Sequence, residues 1–339
     1  MDAIVLVGGQ GTRLRPLTRT RHKSLVPVCN RPVIEYLFDW LRRSGFERVV
    51  MALGQHNEDL AQAYPAGVHH GMEFVVIEET TRLESGGGIR NAVQAAGVEG
   101  RFAVLNGDIY IDIDFAPALT EHEAHCADLT IYLTEVDNPS QFGVAALDSE
   151  SMITGFVEKP PPGTEPSRLI NAGLWIFEPQ LVAQIPPGPV RVEETLFPSL
   201  VGRGRPVYGH EADATWADIG TSERYLAINR ALVEAAGTST VGEGVVIDGQ
   251  ATVAGSSVGD GCVLRPGVDV HDSILWERVT LEADVHVTGS IVANDVEVGA
   301  GAVIDGAVIG AGAKIGAGAV LRPGTVVEPG ERYDSRDAR

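Results

Sequence analysis

Two different spacings of hydrophobic positions divide the chain. Up to about residue 232, short apolar or β-branched runs at residues 3–7, 48–53, 73–77 and 102–105 alternate with helical patterns such as residues 32–43 and 88–96. Such alternation predicts a mostly parallel sheet covered on both faces, with ligands gathering at the carboxyl ends of its strands. The glycine-rich loop after Val7 and the turn Asn106-Gly107-Asp108 after Leu105 fall at such ends. From Val241 the period changes. Apolar residues recur at Val241, Ile247, Val253 and Val258 and onward to Val327 in steps of six, six and five, so that one coil takes 17 residues. Glycine directly follows Val241, Val258, Val298, Ile309 and Ile315, as a chain turning a corner every few residues requires. Three short strands per coil, each turning one apolar side chain inward, predict a triangular parallel β-helix of about five coils. Residues 1–234 are therefore expected to form an α/β domain, residues 235–330 the β-helix, and residues 331–339 a polar tail.

Composition narrows the partners. The 339 residues are 44% hydrophobic and 21% charged, which is ordinary globular usage, but the formal net charge is −20. An acidic chain of this kind argues against a nucleic-acid or anionic-membrane surface. No apolar run reaches a membrane-spanning length or a secretory h-region. Cys29, Cys126 and Cys262 are odd in number, far apart and without CxxC spacing, so neither a disulfide framework nor a zinc site is expected. A cytoplasmic protein follows as the expectation. His69-His70 and the pair His122 and His125 lack metal-ligand spacing and read as surface or capping residues.

Against this acidic background, residues 5–28 stand out. VLVGGQGTRLRPLTRTRHKSLVPV holds Arg13, Arg15, Arg19, Arg21 and Lys23 and no carboxylate, and Gly8, Gly9 and Gly11 allow backbone N–H groups to close on phosphate oxygens. Neither the Walker pattern GxxxxGK[ST] nor GxGxxG fits Gly9-Gln10-Gly11-Thr12-Arg13-Leu14. The stretch resembles the signature of the sugar-1-phosphate nucleotidyltransferases, and the LVGG opening is most similar to their mannose-1-phosphate guanylyltransferase branch. Further motifs follow in that family's order: LNGD at 105–108, QFGV at 141–144, GFVEKP at 155–160, INAGLWIF at 170–177 and TWADIGTSERYLAIN at 215–229.

The resemblance implies a Rossmann-like mixed, mostly parallel sheet followed by a left-handed β-helix of hexapeptide repeats. It also implies in-line attack of a sugar 1-phosphate oxygen on the α-phosphorus of a nucleoside triphosphate, a reaction that asks the protein mainly for positioning and charge neutralisation. Arg13 would neutralise the leaving pyrophosphate and Lys23 would reach the α-phosphate or the sugar phosphate. Gly8, Gly9, Gly11 and Thr12 would cradle the triphosphate. Glu79, Ser85, Gly86 and Gly87 would receive the base, the glycines opening the backbone to a flat ring before a helix begins. Gly143, Glu158, Lys159 and Asn171 would hold the sugar phosphate, and Asp108 and Asp218 a Mg2+ ion. Arg15 reads as structural, Arg19 and Arg21 as solvated.

GTP and mannose 1-phosphate are the expected substrates of an oligomer of identical subunits. The alternatives are a thymidylyl- or uridylyltransferase for glucose 1-phosphate, a guanylyltransferase for another sugar or cyclitol phosphate, and a non-catalytic regulatory subunit. Residues 235–330 carry 12 acidic and 4 basic residues, so this part is expected to serve assembly or regulation rather than phosphate chemistry.

Overall fold

The computed structural model describes residues 1–55, 57–211 and 215–334. The chain divides into two compact bodies, one of residues 1–9 and 34–216, the other of residues 10–33 and everything from 217 onward.

The first body is built on a ten-stranded mixed sheet. Its middle is parallel: Phe102–Asn106, Asp2–Val7, Arg48–Leu53 and Met72–Glu78 lie side by side, with Asp2 opposite both Arg48 and Phe102. Ala3, Ile4, Val5, Val49, Val50 and Met51 are wholly buried, as strands covered on both faces must be. Helix Val33–Arg43 buries Leu37, Phe38, Trp40 and Leu41, one stripe of a 3.6-residue period, and helix Glu84–Ala96 does the same with Ile89, Ala92 and Val93. Beyond Phe102–Asn106 the pairing turns antiparallel through Leu169–Phe177, which also pairs Gly143–Leu147 and Leu129–Glu135. Trp175 and Phe197 meet edge to face at 5.2 Å in the core beneath.

One histidine departs from expectation. His122 is buried inside this body, with Nδ1 2.8 Å from the Thr130 hydroxyl and Nε2 3.2 Å from Glu178, because it lies on the inward face of helix Ala116–Ala124.

The second body contains the β-helix. Its three parallel sheets pair residues 17 apart, as in Val258 with Leu275, Leu264 with Leu281, and Val270 with Val287. Inward residues from Val258 to Val327 form one apolar core in which each large side chain contributes about 1.5–3 kcal/mol of burial. The first coil is the exception: Val241 and Ile247 are 47% and 40% exposed, having a neighbouring coil on one side alone. The last coil departs too, taking 18 residues, so that Ile309 pairs with Val327 and Ile315 with Tyr333. The additional residue sits at a corner, where Pro323 and Gly324 occupy the place that Gly306 fills alone in the coil before, and the Gly324 N–H donates to the Gly306 carbonyl at 2.9 Å. Strand Arg332–Tyr333 carries the coil into the stretch expected as a tail, and residues 335–339 of that stretch lie outside the described residues.

A column of serines lines another corner. Ser256, Ser273 and Ser290 are buried; each hydroxyl donates to a carbonyl two residues back and accepts the N–H of the next coil, from Ser273, Ser290 and Ala307 in turn. Buried backbone groups at a tight corner have their partners this way.

Candidate active site

In the first body the loops at the carboxyl ends of two adjacent strands meet at backbone level. The Gly107 N–H donates to the Leu6 carbonyl at 2.9 Å, and a Cβ on Gly107 would stand 2.2 Å from Val7 Cγ1. Gly8 lies against Gly54, where an added Cβ would come within 2.5 Å of Gly8 Cα. Packing of the strand ends thus demands glycine at 54 and 107, while Gly8 and Gly9 are exposed and Asp108 is half-buried just past the next strand end.

On the antiparallel side, Gly143 pairs with Glu158, and a Cβ at Gly143 would stand 2.8 Å from Glu158 Oε2. Lys159 takes a left-handed backbone conformation (φ 47°), its N–H donating to Phe142, and its Nζ is 3.0 Å from Glu158 Oε1. Asn171 marks a register shift in its strand; its Oδ1 accepts from the Gly173 N–H and from Trp175 Nε1.

The segment expected to receive the base is arranged differently from the expectation. Helix Glu84–Ala96 starts at Glu84, so that Gly86 and Gly87 lie within its first turn and Gly88 opens the second. The N–H groups of Gly86 and Gly87 both donate to the Val190 carbonyl, and a Cβ on Gly87 would stand 2.3 Å from the Gly188 carbonyl. The close approach that removes their side chains is therefore made by the chain's own residues 188–192. Glu79 accepts the Leu83 N–H through Oε2 at 3.0 Å, and burial pushes its carboxyl above the usual range.

Ser85 leads to a residue that the motifs did not mark. Its hydroxyl donates to Glu193 Oε2 at 2.5 Å and accepts the Val192 N–H at 3.2 Å. Burial raises the Glu193 pKa; the Ser85 hydroxyl counteracts this and the nearby Glu158 carboxylate adds to it. A partly buried carboxyl with a raised pKa beside a second carboxylate is a common signature of a functional site. In the sequence it is one of two consecutive glutamates, with no spacing to single it out.

The second body holds the cationic segment. Gly11 has φ 59°, and a Cβ there would meet Thr18 Cγ2 at 2.9 Å and Lys23 Cβ at 3.2 Å; the Thr18 hydroxyl donates back to the Gly11 carbonyl. Thr12 and Arg13 form a single 3-10 turn with Leu14, and both are exposed. Lys23 is buried, and its turn is capped by His22, whose Nδ1 accepts the Ser24 N–H. Gly220 brings two expected site residues together: a Cβ there would stand 2.3 Å from Asp218 Oδ2 and 3.4 Å from Arg13 Nη2. Asp218 also takes an ion pair from Arg224 Nη1, 2.8 Å from Oδ1 and 3.0 Å from Oδ2. Arg224 was likewise not anticipated; it follows from the Thr221 cap, which starts helix Ser222–Ala236 and sets residue 224 one turn above the aspartate. Arg21 is not solvated, since Glu277 holds it through two bonds of 2.9 Å.

The profile of the nucleotidyl transferase family matches residues 2–235, and that of the GlmU-like C-terminal hexapeptide matches residues 247–325. The chain belongs to the nucleotidyl transferase family. Its β-helix is the left-handed helix of hexapeptide repeats. The transferase is 33% identical over 265 residues to a mannose-1-phosphate guanylyltransferase of Mycobacterium tuberculosis, an alignment covering 76% of this chain and 72% of that one. It is 34% identical to the mannose-1-phosphate guanylyltransferase catalytic subunit beta of Danio rerio, over 67% of this chain and 63% of that one. It is 32% identical to a UTP–glucose-1-phosphate uridylyltransferase of Synechocystis, over 66% and 61%.

Among the described residues no cluster of three or more His, Cys, Asp or Glu side chains could hold a metal by itself, and no helix is long and apolar enough to cross a membrane. The transferase does offer hard oxygen donors. Arg224 reaches the Asp218 carboxylate through one nitrogen, and a carboxylate has about four acceptor sites, so Asp218 keeps the capacity to ligate a cation that takes its remaining ligands from phosphate and water.

Proposed function

We propose that this transferase joins GTP and mannose 1-phosphate, releasing pyrophosphate and GDP-mannose. The observation that carries the reading is the likeness, at about one residue in three and across most of the chain, to mannose-1-phosphate guanylyltransferases of a bacterium and a vertebrate. Arg13 and the N–H groups of residues 9–12 bind the β- and γ-phosphates, and Arg13 meets the charge that grows on the departing pyrophosphate. Lys23 neutralises the α-phosphate. Asp108 and Asp218 hold Mg2+, which supplies charge neutralisation at the phosphates when bound. Lys159 and the Asn171 amide donate to the sugar phosphate and its hydroxyls, and Glu158 accepts from the sugar. Glu79 and Ser85 line the base side, with Glu193 fixing the Ser85 hydroxyl.

Uridylyl transfer to glucose 1-phosphate is the second reading, favoured by the Synechocystis relative. A pyrophosphate-release assay of four nucleoside triphosphates against mannose, glucose and other sugar 1-phosphates separates the two. The highest kcat/KM with GTP and mannose 1-phosphate is the expected result; a preference for UTP and glucose 1-phosphate replaces the first reading with the second.

A further inference from the structure

The cationic segment shares its body with the β-helix, and the grip between them is specific. Arg21 sits two residues before Lys23. Its guanidinium makes two parallel bonds of 2.9 Å to Glu277 and lies 4.6 Å over the ring of Trp276. Trp276 is 1% exposed, and its Nε1 donates at 2.9 Å to the hydroxyl of Tyr225, which in turn donates to the Pro27 carbonyl. Lys23 is thus bracketed, with Arg21 held on one side and Pro27 on the other by a continuous chain of contacts. Asn229 Oδ1 accepts the Cys29 N–H at 2.8 Å, and Asn30 donates to the Val258 carbonyl at 2.6 Å. Arg19 reaches Glu328, three coils further along the same corner of the β-helix, at 2.5 Å.

These contacts do what the segment cannot do alone. From Thr12 to Leu25 its regular structure amounts to three single 3-10 turns, Thr12–Leu14, Leu17–Arg19 and Lys23–Leu25, each too short to hold its own geometry. A surface ion pair would add little, but the side chains of Arg21 and Glu277 are 22% and 29% exposed, and the pair is bidentate and stacked on an aromatic ring. The paired guanidinium also holds the Glu277 carboxyl below its usual range, against the upward pull of burial.

We propose that the β-helix corner at Trp276 and Glu277 is a positioning element for nucleotidyl transfer, clamping Arg21 so that Arg13 and Lys23 are presented to the triphosphate in fixed geometry. The proposal rests on the phosphate roles given above to Arg13 and Lys23. It assigns the β-helix a part in the chemical step that is separate from subunit assembly. Misplacing a catalytic group by about 1 Å can cost about a hundredfold in rate, so a loosened clamp should be read in kcat.

The test uses the full chain and the variants Arg21→Lys, Glu277→Gln and Arg21→Lys/Glu277→Gln. Glu297→Gln is the control, since it breaks the exposed pair with Lys314 elsewhere on the β-helix. Amide hydrogen exchange of residues 12–28, measured without substrate, reads the clamp independently of activity. In the Arg21 and Glu277 variants those amides should exchange about tenfold faster while the coils from 280 onward are unchanged, and kcat should fall about tenfold or more with the KM for the triphosphate moving less than threefold. The double variant should be no worse than the poorer single one. Unaltered loop exchange overturns the clamp, and faster exchange with kcat within twofold of wild type overturns its part in catalysis. A wild-type chain that turns over none of the substrate pairs overturns the functional reading and the catalytic half of this proposal together, while the exchange result still decides whether the clamp exists.

Discussion

The Ser85 hydroxyl donates to the Glu193 carboxylate at 2.5 Å, joining the first turn of a helix to a segment 108 residues away. Because burial raises the Glu193 pKa, the folded state binds its proton more tightly than the unfolded chain does. The sign follows from linkage: this carboxyl favours folding at low pH and loses that advantage as pH climbs from about 4.5 through the folded value. Glu193→Gln should therefore melt no lower than wild type at pH 7, with the difference shrinking toward pH 4.5, and yet lose activity. A Tm series over pH beside a rate assay checks both. A variant that is destabilised at pH 7 would mean that the charged form is what the fold uses.

Asp218→Asn should leave the fold intact and lower turnover about a hundred- to a thousandfold, the usual cost of removing one preorganised electrostatic group. Retention of more than a tenth of the wild-type rate at saturating Mg2+ would remove Asp218 from the metal site.

Arg13→Ala should lower kcat more than it raises the KM for the triphosphate, since its role is to meet charge that develops on the leaving group. Steady-state kinetics with the second substrate saturating decides this. A raised KM at constant kcat would reassign Arg13 to ground-state binding.

Val303 and Ile304 are consecutive and face opposite ways, 38% and 1% exposed. Ile304→Asp buries a carboxylate in the apolar prism and should cost several kcal/mol, whereas Val303→Asp should stay within about 0.5 kcal/mol. Thermal melts of the two variants measure the register of the β-helix. Equal melting temperatures would contradict it.

His122 gives a pH dependence of the opposite sign to Glu193. Burial lowers its pKa, so as pH falls below about 6.5 the unfolded chain takes up a proton that the folded one resists. Stability from the neutral imidazole is complete above that pH and is lost as pH falls toward the folded value. The Tm of His122→Gln should decline less steeply than that of wild type between pH 6.5 and 5, and parallel curves would show that folding does not change the protonation of His122.

The β-helix was legible because every inward position must be apolar at a fixed interval, so its constraint is written residue by residue. The packing role of the strand-end glycines was not, since Gly54 and Gly107 are demanded by neighbours that only the folded strands bring up. What else escaped was polar and long-range. Glu193 meets Ser85 from far along the chain, and neither residue type announces the partner. Arg21 looked solvated because nothing local balances it, whereas its counter-charge lies 256 residues away. At Gly86 and Gly87 the sequence marks that a close approach occurs, but not that residues 188–190 of the same chain make one. Ser256, Ser273 and Ser290 share the 17-residue interval, but a polar repeat reads as surface unless the corner carbonyls and amides it serves are known.

The corner that holds both Pro323 and Gly324 has a consequence for which changes in length the protein can survive. An insertion or deletion of 17 residues adds or removes one coil and leaves every later side chain facing as before. Loss of one residue at that exposed corner would give the 17-residue coil of the earlier turns, in which Gly306 alone fills the place, and would keep Val327 inward. Loss of one residue within a strand would instead turn its inward side chain out, because alternate residues of a strand face opposite ways. The corner is thus where the coil stack absorbs a change in length, and a one-residue deletion should be tolerated there and not in the strand that follows.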